Sequence, residues 1–395
     1  MHCIDDILAV TKCSENSIKM NALIQSKVQC KKLELSETKC FQMHIGKDTL
    51  NCSNLEVNGK VMKTTNKEKY LGDVLSNSGK NDENVQMRYE KGMGIINSIM
   101  SILKEISFGQ HYFEIGMLLR TSMLVNGMLF NLEALNNLSV AHINLLEECD
   151  KILMRRMFDA EQGTPIEAFY LETSVWPLRY ILIARKLMYY WTILHKSESE
   201  LVKEVFNAQR NFPTEGCWWS EVQDLLKSCN INYTEEQISK MSQAKFKNII
   251  KERIQSKVLV YLVTLQNKHT KSENLHLDSK MQPYLRTEVL TLNEKKLLFS
   301  LRTKMLRLKA NFSSMFGNVL TCSLCKEVNS IETECHLLKC SFIIKDKMIE
   351  NEMQQVAYED VFSDIAKQMK VVKVFKKIMN IFEKQKTLRE KQSEM

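Results

Sequence analysis

The densest run of metal-type donors in this chain is "CSLCKEVNSIETECHLLKC", residues 322–340. Cys322 and Cys325 form a Cys-x-x-Cys knuckle. His336 and Cys340 follow four residues apart, the spacing of one helical turn on one face. Tetrahedral zinc takes four thiolate or imidazole donors converging on a point, and a knuckle plus a helical pair supplies them. Four protein donors close the coordination shell, so the expected role is structural rather than catalytic. Cys335 is a spare thiol beside His336 and an alternative to it as the fourth ligand. The plainer reading is a cluster of buried cysteines packing as small apolar side chains. No glycine follows the knuckle, so other residues must make its turn.

A second constellation opens the chain, "MHCIDDILAV". Asp5 and Asp6 sit among Ile4, Ile7, Leu8, Ala9 and Val10. Burying two charges in such a run is costly unless a metal or a cation pairs with them. The other reading is a frayed terminus with solvated aspartates. A third set mixes basic and aromatic groups: Arg179, Tyr180, Arg185, Lys186, Tyr189, Tyr190 and Trp191. That composition suits base stacking plus phosphate contact. Helical spacing also puts Trp176, Tyr180 and Leu187 on one side, as in a packed amphipathic helix. Trp218 and Trp219 are expected to staple a helix start onto the core. In the C-terminal stretch, Val361, Ile365, Met369, Val372, Phe375, Met379 and Phe382 form an apolar stripe. Lys373, Lys376 and Lys377 belong to a basic face beside it. Between Lys367 and Lys391 there are nine Lys or Arg against two Glu, so this face suits nucleic acid, an acidic partner or a membrane surface.

The elements that position these groups follow from composition and periodicity. At 395 residues and 44% hydrophobic content, the chain can bury a sizeable core. Glycine (12) and proline (4) are scarce, and nine glycines precede Asn131, so turn chemistry concentrates in the first third. In residues 1–75, "CIDDILAV" reads as a short strand pair turning at the aspartates. A helix follows from an N-cap at Ser14, and "KLELSETKCFQMHIG" reads as two half-buried strands. Asn58-Gly59 is a strong hairpin signal. Beyond Asn81 the pattern is helical, with Tyr89, Met93, Ile96, Met100 and Leu103 on one face. Further helices are expected at 111–134, 139–158, 175–195, 198–210, 218–228, 235–266 and 284–309. The net charge of +8 is compatible with a polyanionic partner. Scattered cysteines without a secretory leader point to a reducing, intracellular setting, nuclear or cytoplasmic. The most apolar helix candidate, 175–195, carries Arg179, Arg185 and Lys186, which argues against a membrane span.

The order of features resembles the C-terminal half of a reverse transcriptase of the non-LTR retrotransposon type. "CIDD" stands where that family has aromatic-x-Asp-Asp, with Cys3 in the aromatic place. "KKLELSETKCFQMHIGK" resembles the next palm motif, "EKYLGDVL" the stretch leading into the thumb, and "CSLC…HLLKC" the cysteine-histidine knuckle after it. The resemblance implies Asp5 as a Mg²⁺ ligand, Asp6 as its supporting carboxylate and Lys39 near the incoming triphosphate. The resemblance also implies a further essential aspartate on an earlier palm strand, to complete a two-metal site, and a fingers region that binds the nucleotide. Both would precede Met1, so this polypeptide alone is expected to be an inactive fragment of an RNA-directed DNA polymerase.

The expected fold is therefore mainly α with a small α+β N-terminal region. It divides into a partial palm (1–75), a helical thumb-like domain (76–212), a helical connector (213–310), a zinc-knuckle-like segment (311–345) and a basic amphipathic C-terminal helix (346–395). Structural Zn²⁺ is the expected cofactor, with Mg²⁺ only in a complete polymerase, and the expected partner is RNA or DNA. The alternatives are a non-enzymatic nucleic-acid-binding protein derived from a retroelement, with Arg179, Arg185, Lys186 and the three C-terminal lysines as contacts, or a helical protein-interaction module.

Overall fold

The computed structural model of the chain describes residues 7–45, 54–106, 111–276, 278, 280–316, 319–327, 329–345 and 347–393. The chain divides into two compact units. One holds the residues up to Lys91 together with Asn137–Leu145, and the other holds Gly92–Asn136 and Leu146 onward.

In the first unit, α1 (Ser14–Cys30) starts one residue earlier than expected, with Cys13 rather than Ser14 in the N-cap position. None of its residues is buried, and Asn21 and Gln25 tie it down by donating to the Glu56 carbonyl at 2.8 and 2.9 Å. Among the described residues six short strands follow: β1 (Phe41–Gln42), β2 (Glu56–Val57), β3 (Lys60–Val61), β4 (Lys63–Thr64), β5 (Lys67–Tyr70) and β6 (Asp73–Ser76). β1 pairs with β4 in parallel, and β2–β3 and β5–β6 are antiparallel hairpins. Asn58 and Gly59 both take positive φ, 52° and 78°, so the expected hairpin is built on the primed turn that matches strand twist. Leu71 and Gly72 make the same kind of turn between β5 and β6, at 45° and 90°.

The two strands expected over 33–45 reduce to β1 alone. Glu37–Lys39 winds into a 3₁₀ turn, and Leu33 is exposed. The strand pair expected at 1–10 lies outside the described residues up to Asp6. Ile7–Val10 form no strand and are exposed.

α2 (Asp82–Glu105) runs from the first unit into the second. Its buried face is Val85, Arg88, Gly92, Ile96, Ile99 and Leu103, one step round from the predicted stripe; Tyr89, Met93 and Met100 are only half-buried. Arg88 can go inside because Asp73 and Asn84 accept its guanidinium.

Among the described residues, the regular structure of the second unit is helical apart from one isolated bridge at Thr321–Ile331. α3 (Tyr112–Leu119) passes into a π-helical turn (Arg120–Val125), then α4 (Asn126–Leu129) and α5 (Val140–Phe158), whose residues up to Leu145 belong to the first unit. α6 (Ile166–Thr173), α7 (Leu178–Leu194), α8 (Leu201–Asn211), α9 (Trp218–Ser228), α10 (Glu235–Ser239) and α11 (Gln243–Gln266) come next. α12 (Pro283–Arg286), α13 (Leu292–Arg302), α14 (Ser313–Phe316), α15 (Glu334–Leu337), α16 (Ser341–Ile344), α17 (Lys347–Met353) and α18 (Ile365–Ser393) complete it.

Phe113, Phe158, Phe169 and Phe299 meet ring to ring at 4.3–5.4 Å between centroids and mark one core. α11 packs on α7 through Phe246, Ile250, Ile254, Val258 and Leu262, a ridge of every fourth residue. The helix expected over 235–266 divides because Thr234 and Ser242 each cap a new start. The one expected over 284–309 divides into a short helix, Pro283–Arg286, and a second one capped by Thr291 that stops at Arg302, before Lys304 takes φ of 50°. Trp218 performs the expected stapling: it is buried and donates to the Glu133 carbonyl at 2.8 Å.

Two buried ion pairs hold the helices in register. Arg120 meets Asp150, and Arg302 meets Glu172 at 3.0 Å while also donating to the Val361 carbonyl at 2.7 Å. Among the described residues no helix is long and apolar enough to cross a membrane.

Candidate metal centre

The knuckle is built by a short antiparallel pairing. The Cys322 N–H donates to the Ser330 carbonyl at 2.7 Å, and the Glu332 N–H to the Leu320 carbonyl at 2.9 Å. The turn is closed by Lys326, whose N–H reaches the Cys322 carbonyl at 3.1 Å with φ of 56°. Lys326 and Asn329, at φ of 68°, thus take the positive-φ positions that a glycine would otherwise fill. Glu332 is buried, and its carboxylate accepts from the Ser323 N–H at 2.7 Å and the Lys309 N–H at 3.1 Å. It pins the inside of the Cys-x-x-Cys loop to the segment before α14.

His336 and Cys340 arrive differently from the expected continuous helix. α15 is a single turn, capped by Thr333 accepting from the His336 N–H at 3.1 Å. Cys340 lies beyond it, in extended conformation, as the N-cap residue of α16. The donors still converge. Cys322 Sγ and Cys340 Sγ are 3.9 Å apart, Cys325 Sγ and His336 Nε2 3.5 Å, and all four donor atoms lie within 4.8 Å of one another. The edge of a zinc tetrahedron is about 3.8 Å for two sulfurs and about 3.5 Å for sulfur and nitrogen, from metal–ligand lengths near 2.3 and 2.0 Å. The site therefore fits a tetrahedral ion. Cys335 is exposed and outside the cluster, so the structure brings in His336 rather than its neighbour.

Burial pushes the Cys322 thiol up to about 12, against the N–H groups of Cys325 and Leu324 that favour its thiolate. It raises Cys340 likewise, against the N–H groups of Phe342 and Ile343. Burial also works against ionising Cys325. There the Ser330 hydroxyl, the Glu327 N–H and the two cysteines outweigh it and hold the thiol below the ordinary value. A bound cation would displace the protons of the buried thiols, and the aimed N–H groups would then support the sulfurs.

The other candidate residues are not gathered into a site. Asp5 and Asp6 lie outside the described residues. Lys39 is exposed in its 3₁₀ turn. Among the described residues the Cys322, Cys325, His336 and Cys340 group is the one set of His, Cys, Asp or Glu close enough to hold a metal ion.

The basic-aromatic cluster on α7 is consumed by packing. Arg179 is bound by the Glu147 carboxylate and stacks 5.0 Å above the Tyr261 ring. Arg185 donates to Asn126. Lys186 is 2% exposed, and its ammonium donates to the Leu135 carbonyl at 2.7 Å and to Glu221 at 2.6 Å. Its charge is spent inside the unit and not presented to a polyanion. On α18, Lys376 pairs with Glu294 at 3.1 Å and Lys377 with Glu352 at 2.6 Å, while Lys373 is exposed.

Sequence reasoning missed Glu332 and Thr333. Thr333 carries a readable signal, an N-cap residue three positions before a ligand. A lone buried glutamate carries none. Compared with known proteins, the chain matches no family model, no curated protein and no solved structure.

Proposed function

We propose that this chain is a zinc-held, non-catalytic module that binds RNA or DNA, similar in plan to the thumb and knuckle of a non-LTR-type reverse transcriptase. The observation that carries the proposal is the convergence of Cys322, Cys325, His336 and Cys340 from four separate backbone positions within 4.8 Å. Soft sulfur donors with one imidazole select zinc over magnesium, and four protein ligands leave no open position for a substrate. The ion's work is then structural. It clamps the knuckle to α15 and α16, and through them to the C-terminal helices.

Nucleic acid as the partner is supported by the +8 charge and by exposed lysines on α18. The test is retention of a short single-stranded RNA by the zinc-loaded full chain, followed by fluorescence anisotropy across a salt series. Affinity should fall linearly with salt on a double-logarithmic plot. Absence of binding at about 50 mM salt overturns the proposal.

A further inference from the structure

The two sides of α18 differ completely in chemistry. Gln368, Val371, Val372, Phe375 and Ile378 are buried, and the helix packs on α13, α17 and the turn Tyr358–Phe362. At 100° per residue, Ala366, Lys370, Lys373, Lys377, Asn380 and Lys384 form a single file on the opposite side. All six are exposed, and the file contains no carboxylate. Among the described residues, no carboxylate stands at ion-pair distance from Lys370, Lys373 or Lys384; Lys377 shares Glu352. Lys367 and Lys376 sit off the file, paired with Asp360 at 3.7 Å and Glu294 at 3.1 Å.

We infer that this file is the strip on which the phosphate backbone of a nucleic acid lies, a deepening that rests on the nucleic-acid reading above. From Lys370 to Lys384 the ammonium groups span about 21 Å of helix at 1.5 Å per residue. Lys370, Lys373 and Lys384, on either side of the Lys377–Glu352 pair, leave the file net positive along one line, which complements a linear polyanion. A membrane surface is a poorer match. An interfacial helix inserts its apolar face, whereas the apolar face of α18 is already packed and its described residues expose no large apolar side chain. The strip also revises which lysines matter. Lys370 and Lys384 enter, Lys373 stays, Lys377 stays on the file but is held by Glu352, and Lys376 drops out because it lies off the file and pairs with Glu294.

The experiment compares three forms of the zinc-loaded full chain: wild type, Lys370→Gln/Lys373→Gln/Lys384→Gln, and the flanking pair Lys367→Gln/Lys376→Gln. Each is titrated with single-stranded RNA and with anionic phosphatidylserine vesicles across a salt series, and helix content is checked by circular dichroism. Each phosphate contact adds about 0.7 to the salt slope, so the triple variant should lose about 2 in slope and about 100-fold in affinity at about 0.1 M salt. The flanking pair should stay within about twofold of wild type. RNA binding by wild type that the triple variant retains in full overturns the strip and leaves the nucleic-acid reading standing. So does a flanking pair that weakens binding as much as the triple, since charge count alone would then explain it. Wild type that binds vesicles but not RNA overturns both.

Discussion

Replacing Asp150 by asparagine keeps the side-chain volume and removes the charge that faces Arg120. Both partners are cut off from water, at 1% and 0% side-chain exposure. The guanidinium makes two parallel hydrogen bonds to the carboxylate, Nε to Oδ1 at 2.6 Å and Nη2 to Oδ2 at 2.7 Å. Tyr170 donates to the same Oδ2 at 3.1 Å, and Arg120 also reaches the Trp176 carbonyl at 3.0 Å. Burial alone disfavours the Arg120 cation, and Asp150 more than offsets it. Without the carboxylate the cation stays ionised and buried with neutral acceptors only.

Breaking such a pair from one side costs about 3–5 kcal/mol, a large part of the roughly 5–15 kcal/mol that holds a domain folded. Removing all three polar groups together, Arg120→Met/Asp150→Leu/Tyr170→Phe, leaves no stranded charge and should lie within about 1 kcal/mol of wild type. Because the chain has two compact units, a single melting curve does not isolate this term. Native-state hydrogen exchange at the amides of α5 and α6 does, and Asp150→Asn should speed it by about 10²- to 10⁴-fold. A loss under about 1 kcal/mol, or a triple variant as unstable as the single, refutes the argument.

Four further substitutions test the packing and the site. A Cβ at Gly92 would stand 2.8 Å from Met128 Sδ and 3.0 Å from Cys149 Sγ, whereas one at Gly94 meets nothing within 4 Å. Gly92→Ala should therefore cost about 1–3 kcal/mol, while Gly94→Ala gains about 0.5–1 kcal/mol of helix propensity, both read by denaturant titration. Leu71 holds φ of 45° with 62% of its surface exposed, so Leu71→Asn should relax the β5–β6 turn by about 0.5–1 kcal/mol and slow proteolysis within residues 67–76. Glu332→Ala frees the knuckle loop from Lys309 and should weaken zinc about 10- to 100-fold in competition with a chelator.

The metal centre was the most legible part of the sequence, because donor type and spacing are stated residue by residue and zinc tolerates several backbone routes to one tetrahedron. The predicted helical step from His336 to Cys340 was the wrong route to the right convergence. Helix existence was legible from periodicity, but the face of α2 was not. Its inner row includes Arg88 and Gly92, which a hydrophobic count skips, one because Asp73 neutralises it and the other because only a bare backbone fits beside Met128. The same blindness left Lys186 open between a packed face and a nucleic-acid contact, since nothing local reveals that Glu221, 35 residues on, completes its shell. The π turn at Arg120–Val125 and the cap-driven division at Ser242 depend on tertiary partners or on single capping residues inside a good helical pattern. The Asn58-Gly59 hairpin was legible because its turn chemistry is local, whereas the β5–β6 turn uses a leucine where a reader expects asparagine or glycine.

Zinc-edge X-ray absorption on the purified full chain tests the central claim most directly. One zinc per chain is expected, with three sulfurs at about 2.3 Å and one nitrogen at about 2.0 Å, lost on Cys340→Ser. A chain that carries no zinc after refolding with the metal contradicts it. So does a shell of four sulfurs, which would put Cys335 in the place assigned to His336.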